Sequence, residues 1–381
     1  MNEFLTTPLD FCAGEGSETA PYTAADGTAG ITSALSRLAE RGGTLRLPCA
    51  RYELTKTVPL TLCSSAIVGD VWACNTDPNG VFETAYGTKL RLRGSGFPAL
   101  RVGIDGLVSG SVIRELGVQG DIVGMDTRDR FDINAPTANA GLVLDAVRTD
   151  QCAFERLSFC GLGAAIAVAG NAEVDACNFE RCNADGSGVG VYFSPRASFY
   201  ARFNRNLLAD TPYYGVLVDG RGKCIHNLEL TECFFVRNGG CFVGEEMPHP
   251  AAVTLLNVSR SAVERNNFDD PGLFWYYPPT ATENSERQPQ KQPMPALYLS
   301  GKLNRIRDNV FQHTRGVAVI IEGDGNVLMN NITDGDVMIT GKGNTVCGLA
   351  FQSAEAKLIL RGADDTVVSG VPEDRILRIA P

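Results

Sequence analysis

Apolar and polar positions follow one register along most of this chain. The pattern is two residues, an apolar one, two more, then a small residue, Leu or Asn, then one residue and Phe or another apolar side chain. It fits Ser111-Ile113-Leu116-Val118, Cys152-Phe154-Leu157-Phe159, Ala172-Val174-Cys177-Phe179 and, more weakly, Ala201-Phe203-Asn206-Leu208. It returns at Leu228-Leu230-Cys233-Phe235, Ser261-Val263-Asn266-Phe268, Asn304-Ile306-Asn309-Phe311, Asn326-Leu328-Asn331-Thr333 and Asn344-Val346-Leu349-Phe351. Self-similarity at roughly 18–40 residues predicts a solenoid. Most copies have a second short apolar run: 142–144, 165–168, 216–218, 297–299, 319–321 and 358–360. Such runs, bounded by Gly, Asn and Asp, read as strands, and no helix lies between coils. The fold class is therefore all-β, one chain wound into a parallel β-helix.

Stacking gives the repeated positions a chemical meaning. Phe159, Phe179, Phe235, Phe268, Phe311 and Phe351 are expected in one interior column, each ring contributing roughly 1.5–3 kcal/mol. Asn266, Asn309 and Asn331 share an inward position with Leu157, Cys177 and Cys233. A buried, unpaired amide costs about 1–3 kcal/mol, so these Asn must bond to the turn and to each other as a ladder. Cys152, Cys177 and Cys233 read as small inward hydrophobes. Glu155, Arg156, Asp175, Arg205, Glu232, Glu264, Arg265 and Asp308 form an outward ladder of both signs, read as a solvated, salt-bridged face.

Before the coils, Ile31, Leu35, Leu38 and Ala39 have helical spacing after Asp26-Gly27-Thr28. Residues 1–50 are read as an N-terminal segment with a short capping helix over the open end, and 51–381 as the β-helix. Net charge is −10 and 41 of 381 residues are Gly. The acidity disfavours a nucleic-acid partner, the glycines suit many turns, and no membrane span is visible. No signal peptide is evident, and the 12 Cys contain no CxxC. Together these point to a cytoplasmic protein, or a secreted one if the sequence is a mature form. Three His without HxxxH or HExxH give no zinc pattern, and no metal or other cofactor is expected.

Candidate chemistry lies on the insertions 121–140, 180–188, 209–214, 236–252 and 269–295. All leave the coil at about the same point, so they should form one wall along the solenoid, where such folds bind extended ligands. Asp210, Glu245, Glu246, Asp269 and Asp270 are candidate catalytic carboxylates there, joined by Asp219 in a turn column with Asp145 and Glu322. Ser194, Asn257 and Ser300 are read in that same column. Tyr213, Tyr214, Arg237, Trp275, Tyr276 and Tyr277 are candidate substrate-binding residues. Carboxylates beside aromatic rings suit a neutral sugar, though the aromatic run also reads as a subunit contact.

Asp26-Gly27-Thr28 with Gly42-Gly43-Thr44-Leu45-Arg46-Leu47-Pro48 resembles the opening of the pectin-lyase-like β-helix superfamily. That likeness implies a right-handed coil. Phe159-Cys160-Gly161-Leu162-Gly163-Ala164-Ala165-Ile166 through Cys182, and Leu297-Tyr298-Leu299-Ser300-Gly301 through Asn331, resemble the inulin fructotransferase family. The second likeness implies fructosyl chemistry on inulin or difructose dianhydrides, two carboxyl groups, no cofactor and a homotrimer with sites between solenoids. The family acid that precedes a Gly-Val is matched here by Tyr214, before Gly215-Val216, and the second falls near Arg221 to Cys224. Neither acid carries over. A polyuronate lyase or hydrolase and a non-catalytic, tailspike-like glycan binder are the rival readings.

Overall fold

A computed structural model describes residues 5–6, 24–60, 64–70, 87–103, 106–120, 131–241, 248–276, 288–363 and 365–380. Among these, the strands form sheets of 22, 13, four and two strands. All pairing is parallel except in one hairpin, Leu273–Tyr276 with Gln288–Lys291. Each coil adds strands to the long sheet, to the 13-stranded sheet and, early on, to the short sheet running from Leu107–Ser109 to Ala197–Ser198. None of the described residues forms a helix long and apolar enough to cross a membrane.

The sequence register is the signature of a bend. Alternation puts residues two apart on one face of a strand, yet Phe154 and Leu157, three apart, are both buried. Between them Arg156 has φ 49°, a left-handed residue that turns the chain and restores the inward face. Arg181, Arg205, Glu232, Arg265, Asp308 and Asn330 repeat the bend with φ from 52 to 56°. Their side chains pair along the outside, as in Arg205 to Glu232 at 2.8 Å. Glu264 departs from the expected solvated ladder: only 5% exposed, it is enclosed by Arg265, Arg305 and Arg307.

The bend leaves an N–H and a C=O pointing inward, and Asn closes both. Asn309 Oδ1 accepts from the Asn266 N–H at 2.9 Å, while its Nδ2 donates to Val263 O at 2.8 Å. Asn266, Asn309 and Asn331 are also linked amide to amide at 3.0 Å each. A second ladder, not assigned from the sequence, runs through Asn304, Asn326 and Asn344 at another corner. Cysteine takes half of the same role. Cys182 and Cys233 Sγ each donate to the carbonyl before the bend at 3.5 Å, on Phe154 O and Phe203 O. Burial pushes both thiols up to about 12.

The aromatic column is real but divided. Phe159, Ala184, Leu208, Phe235, Phe268, Phe311, Thr333 and Phe351 stack in one row. Rings 235, 268 and 311 lie 4.8 and 4.7 Å apart. Phe179 instead stacks between Phe154 and Phe203, at 4.7 and 4.5 Å. The coil read as Ala172-Val174-Cys177-Phe179 is Cys177-Phe179-Cys182-Ala184, because Cys177 pairs with Ala201 and Asn183 with Ser158. The expected insertion at 180–188 accordingly contains a ladder strand, Asn183–Asp185.

The helix Ala24–Arg41 buries Ile31, Ala34, Leu35 and Leu38 against the first coils. Parallel pairing joins Leu5–Thr6 to Gly43–Leu47 and Gly43–Leu47 to Ser65–Gly69, so ladder strands lie within residues 1–50 as well. Replacing Asn309 by Ala should orphan the Asn266 N–H and the Val263 carbonyl at about 1–3 kcal/mol each. Chemical denaturation should show that loss, while exposed Glu232→Ala should change stability by less than about 1 kcal/mol.

Candidate functional site

A second column of left-handed residues marks the corner from which the insertions leave: Gly161, Gly186, Asp210, Arg237, Asp270 and His313, with φ from 51 to 63°. Described residues of two insertions, near 240 and 250 and at 292–295, come together beside it. A cleft of about 350 Å³ between them is lined by Gly240, Pro250, Gln292, Pro293, Met294 and Pro295. The charged members of this corner are paired. Asp210 takes a two-pronged grip from Arg237 at 2.6 and 2.7 Å. Asp270 bonds Lys291 Nζ at 2.5 Å, and Asp269 bonds His313 Nδ1 at 2.6 Å, which raises the exposed imidazole.

Ligand atoms of Asp269, Asp270 and His313 lie within 4.8 Å of one another. The Lys291 ammonium bonds both Asp270 and the His313 carbonyl, so this cluster already holds a positive charge. Glu245, Glu246 and Tyr277 lie outside the described residues. For Trp275 and Tyr276 only the hairpin backbone is described. Tyr213 and Tyr214, expected as exposed sugar platforms, are 1% and 0% exposed. They pack with Phe131, Tyr192, Leu217 and Cys241 in an apolar layer over the 13-stranded sheet, and this closes their ring faces.

The outward face of that sheet brings together groups the sequence left apart. Ser194 bonds the backbone of Asp219, Asp219 pairs with Leu256, and one coil further Ser300 pairs with Glu322. Asn257, read in this column from sequence, is displaced by a bulge between Leu255 and Val258. Its amide instead ties down the next turn, donating to Gly220 O and Lys223 O at 3.1 and 2.6 Å. That turn carries Arg221, whose guanidinium grips Asp219 at 2.9 and 2.8 Å. Burial alone would raise the Asp219 carboxyl. The bonds and charge from Arg221 win and hold it below its ordinary value.

On the same face, Tyr214 O–H donates to Pro248 O at 2.7 Å, and the next residue, His249, stacks on Tyr298 at 4.1 Å. Tyr298 O–H donates to the Glu322 carboxylate and lies 3.5 Å from His249 Nε2. Burial and the bond to the Glu322 carboxylate raise the phenol, so it keeps its proton and donates it to that carboxylate. His249 is exposed and opens this trio to ligand. Tyr298 lies two strands from Asp219, roughly 10 Å along the sheet. The sequence signal for Glu322 was its place in the Asp145–Asp219 column. Nothing local announced that a loop returns His249 onto Tyr298.

Residues 164–346 match the family model described as the right handed beta helix region. The chain is a right-handed parallel β-helix. No curated protein sequence matches this β-helix. Among solved structures it is similar to DFA-IIIase from Arthrobacter chlorophenolicus A6 in complex with GF2, with 14% identity, TM-score 0.69, and 98% of this chain and 95% of that chain covered. The same enzyme without its lid, also with GF2, gives 14%, 0.68, 99% and 98%. In complex with DFA-III it gives 14%, 0.65, 98% and 96%. At such identity the likeness establishes the β-helix fold.

Replacing Arg221 by Gln keeps the burial of Asp219 and removes the guanidinium, so its carboxyl should rise above the ordinary 3.8. In the wild type, a depressed carboxyl contributes stability in full above that ordinary value and loses it as pH falls through the folded one. Carbon-13 NMR titration of the Asp219 carboxyl, with acid unfolding of both proteins, should show the rise and the loss of that acid-sensitive contribution.

Proposed function

We propose that this protein is a carbohydrate-active enzyme that cleaves or transfers fructosyl units of the inulin or difructose dianhydride type. The observation that carries the reading is an ionised carboxylate and a proton-donating group on one face of the β-helix. Asp219 is kept charged by Arg221, and Tyr298 is bonded to Glu322 beside exposed His249. Cleavage at a ketose C2 needs charge stabilisation for an oxocarbenium-like centre and a proton for the departing oxygen. Asp219 serves the first need, and the Glu322–Tyr298–His249 trio the second. A neighbouring sugar hydroxyl or water then attacks C2 and, as the new C2–O bond forms, returns its proton to the trio.

The near end-to-end likeness to a DFA-IIIase crystallised with GF2 and with DFA-III supports the same substrate class. Asp219 and Glu322 are three strands apart, roughly 14 Å along the sheet. That spacing exceeds both the ~5 Å of a covalent glycosyl intermediate and the roughly 6.5–9.5 Å of a direct carboxylate pair, so Glu322 acts through the Tyr298 phenol, one strand nearer to Asp219. The resemblance adds a homotrimeric assembly to this proposal.

A second reading has its own support. Tyr214 stands where an acid is expected, and Asp210, Asp219, Asp269 and Asp270 are all held by cationic side chains or a histidine. A glycan binder without turnover fits those facts.

Turnover of inulin and of the dianhydride should fall about 100-fold or more in Asp219→Asn and in Glu322→Gln with folding intact, the range general acid–base groups supply. Asp210→Asn, Asp269→Asn and Asp270→Asn should stay within a few-fold of wild type. Full activity in both of the first two variants would remove this site. Oligosaccharide binding by the wild type with no product would select the binder.

A further inference from the structure

At the corner opposite the insertions, strand pairing sets His226 against Ser259 and Ser259 against Lys302 on successive coils. The Leu303 N–H then reaches Asp324 O on the next coil. With Arg260, these side chains line an open cleft of about 400 Å³. We propose that this cleft binds a small oxyanion: a phosphate, sulfate or carboxylate group, free or carried on a glycan.

The cations point to it. Arg260 and Lys302 are exposed, and among the described residues neither side chain is engaged in an ion pair or hydrogen bond. This contrasts with the adjoining face, where Arg265, Arg305 and Arg307 converge on Glu264 and Arg205 is tied to Glu232. Two uncommitted cations on neighbouring positions repel unless an anion lies between them.

The neutral groups are oriented to help. The Cys224 thiol donates to Ser259 Oγ at 3.3 Å, and that hydroxyl lies 2.5 Å from His226 Nδ1. In the tautomer that accepts the Ser259 proton at Nδ1, the imidazole carries its own proton on Nε2. Ser259 is only 3% exposed, so this relay is fixed from within the fold.

Leu303 shapes one side. It is 53% exposed and holds φ 60°, a conformation a bulky residue rarely adopts. It lies over Gly325, where an added Cβ would come within 3.0 Å of it. Asp324 stands at the far end and accepts the Lys342 N–H at 2.7 Å. Its charge confines an anion to the stretch between His226 and Lys302. The cleft is a local exception in a chain of net charge −10, so affinity should fall with added salt.

The test is calorimetric titration of the full chain with inorganic phosphate at low ionic strength, for the wild type and for Arg260→Asn/Lys302→Gln. Asn tolerates the left-handed backbone at Arg260, so the variant should unfold at the wild-type temperature. Binding in the wild type, weakened about tenfold or more in the double variant, is the expected result. Equal affinity in both proteins, or no heat up to about 10 mM phosphate in the wild type, overturns the proposal. A sulfated oligosaccharide that binds more tightly than the free ion assigns the site to a glycan-borne group. Equal affinities assign it to the free ion, and either result keeps the site. Fructan turnover is read separately and does not enter this test.

Discussion

Every coil must bend inward-facing strands without leaving a backbone group unpaired in the core. A single left-handed residue makes the bend, and it frees one N–H and one C=O that no neighbouring strand can reach. Asn at the position after the bend answers both, with its oxygen on one and its amide on the other. Cys answers only the carbonyl, yet fits where the row is crowded by Phe rings. These corners fix where each coil turns. They are also what allows insertions of very different length to leave from one line and stand against each other.

The same geometry decides which charges are available for chemistry. Bend residues point outward in columns with neighbours one strand spacing away, so Arg and Asp or Glu on successive coils meet almost unavoidably. Asp210 is consumed in this way by Arg237, while Asp270 is held by Lys291 from the hairpin strand. The Asp219 pair is different because it is intraturn, two residues apart, and the bulge at Asn257 positions the turn that makes it. Glu322 is different because its partner is a neutral phenol that donates a hydrogen bond and carries no compensating charge.

The fold was legible because stacking repeats its constraints. Eight copies of the register pair as the spacing implies, and the Asn ladder at Asn266, Asn309 and Asn331 follows from burial alone. The slip at 172–179 has a definite cause. Inward residues around a bend run at intervals of two and three, so the pattern repeats after five residues, and a coil read five residues early looks equally good. The site was less legible. Asp219 is visible as a turn acid, but Arg221 as its partner depends on turn shape, and the burial of Tyr213 and Tyr214 depends on Phe131 from a distant insertion.

Net charge misleads for a solenoid, because a long surface separates its regions by more than the roughly 8–10 Å over which salt screens charge. An excess of ten negative charges argues against an extended polyanion lying along the whole molecule. It does not govern a cleft where, among the described residues, the Arg260 and Lys302 side chains are uncommitted and His226 lies against the Ser259 hydroxyl. The sheet face with Asp219 and Glu322 is governed locally too. There a carboxylate held ionised by Arg221 can stabilise a developing cation while neutral hydroxyls approach unopposed. Under the proposed function the first face meets a neutral ring that becomes positive in the transition state, and under the proposed oxyanion site the corner at Arg260 and Lys302 meets a group that is negative from the start.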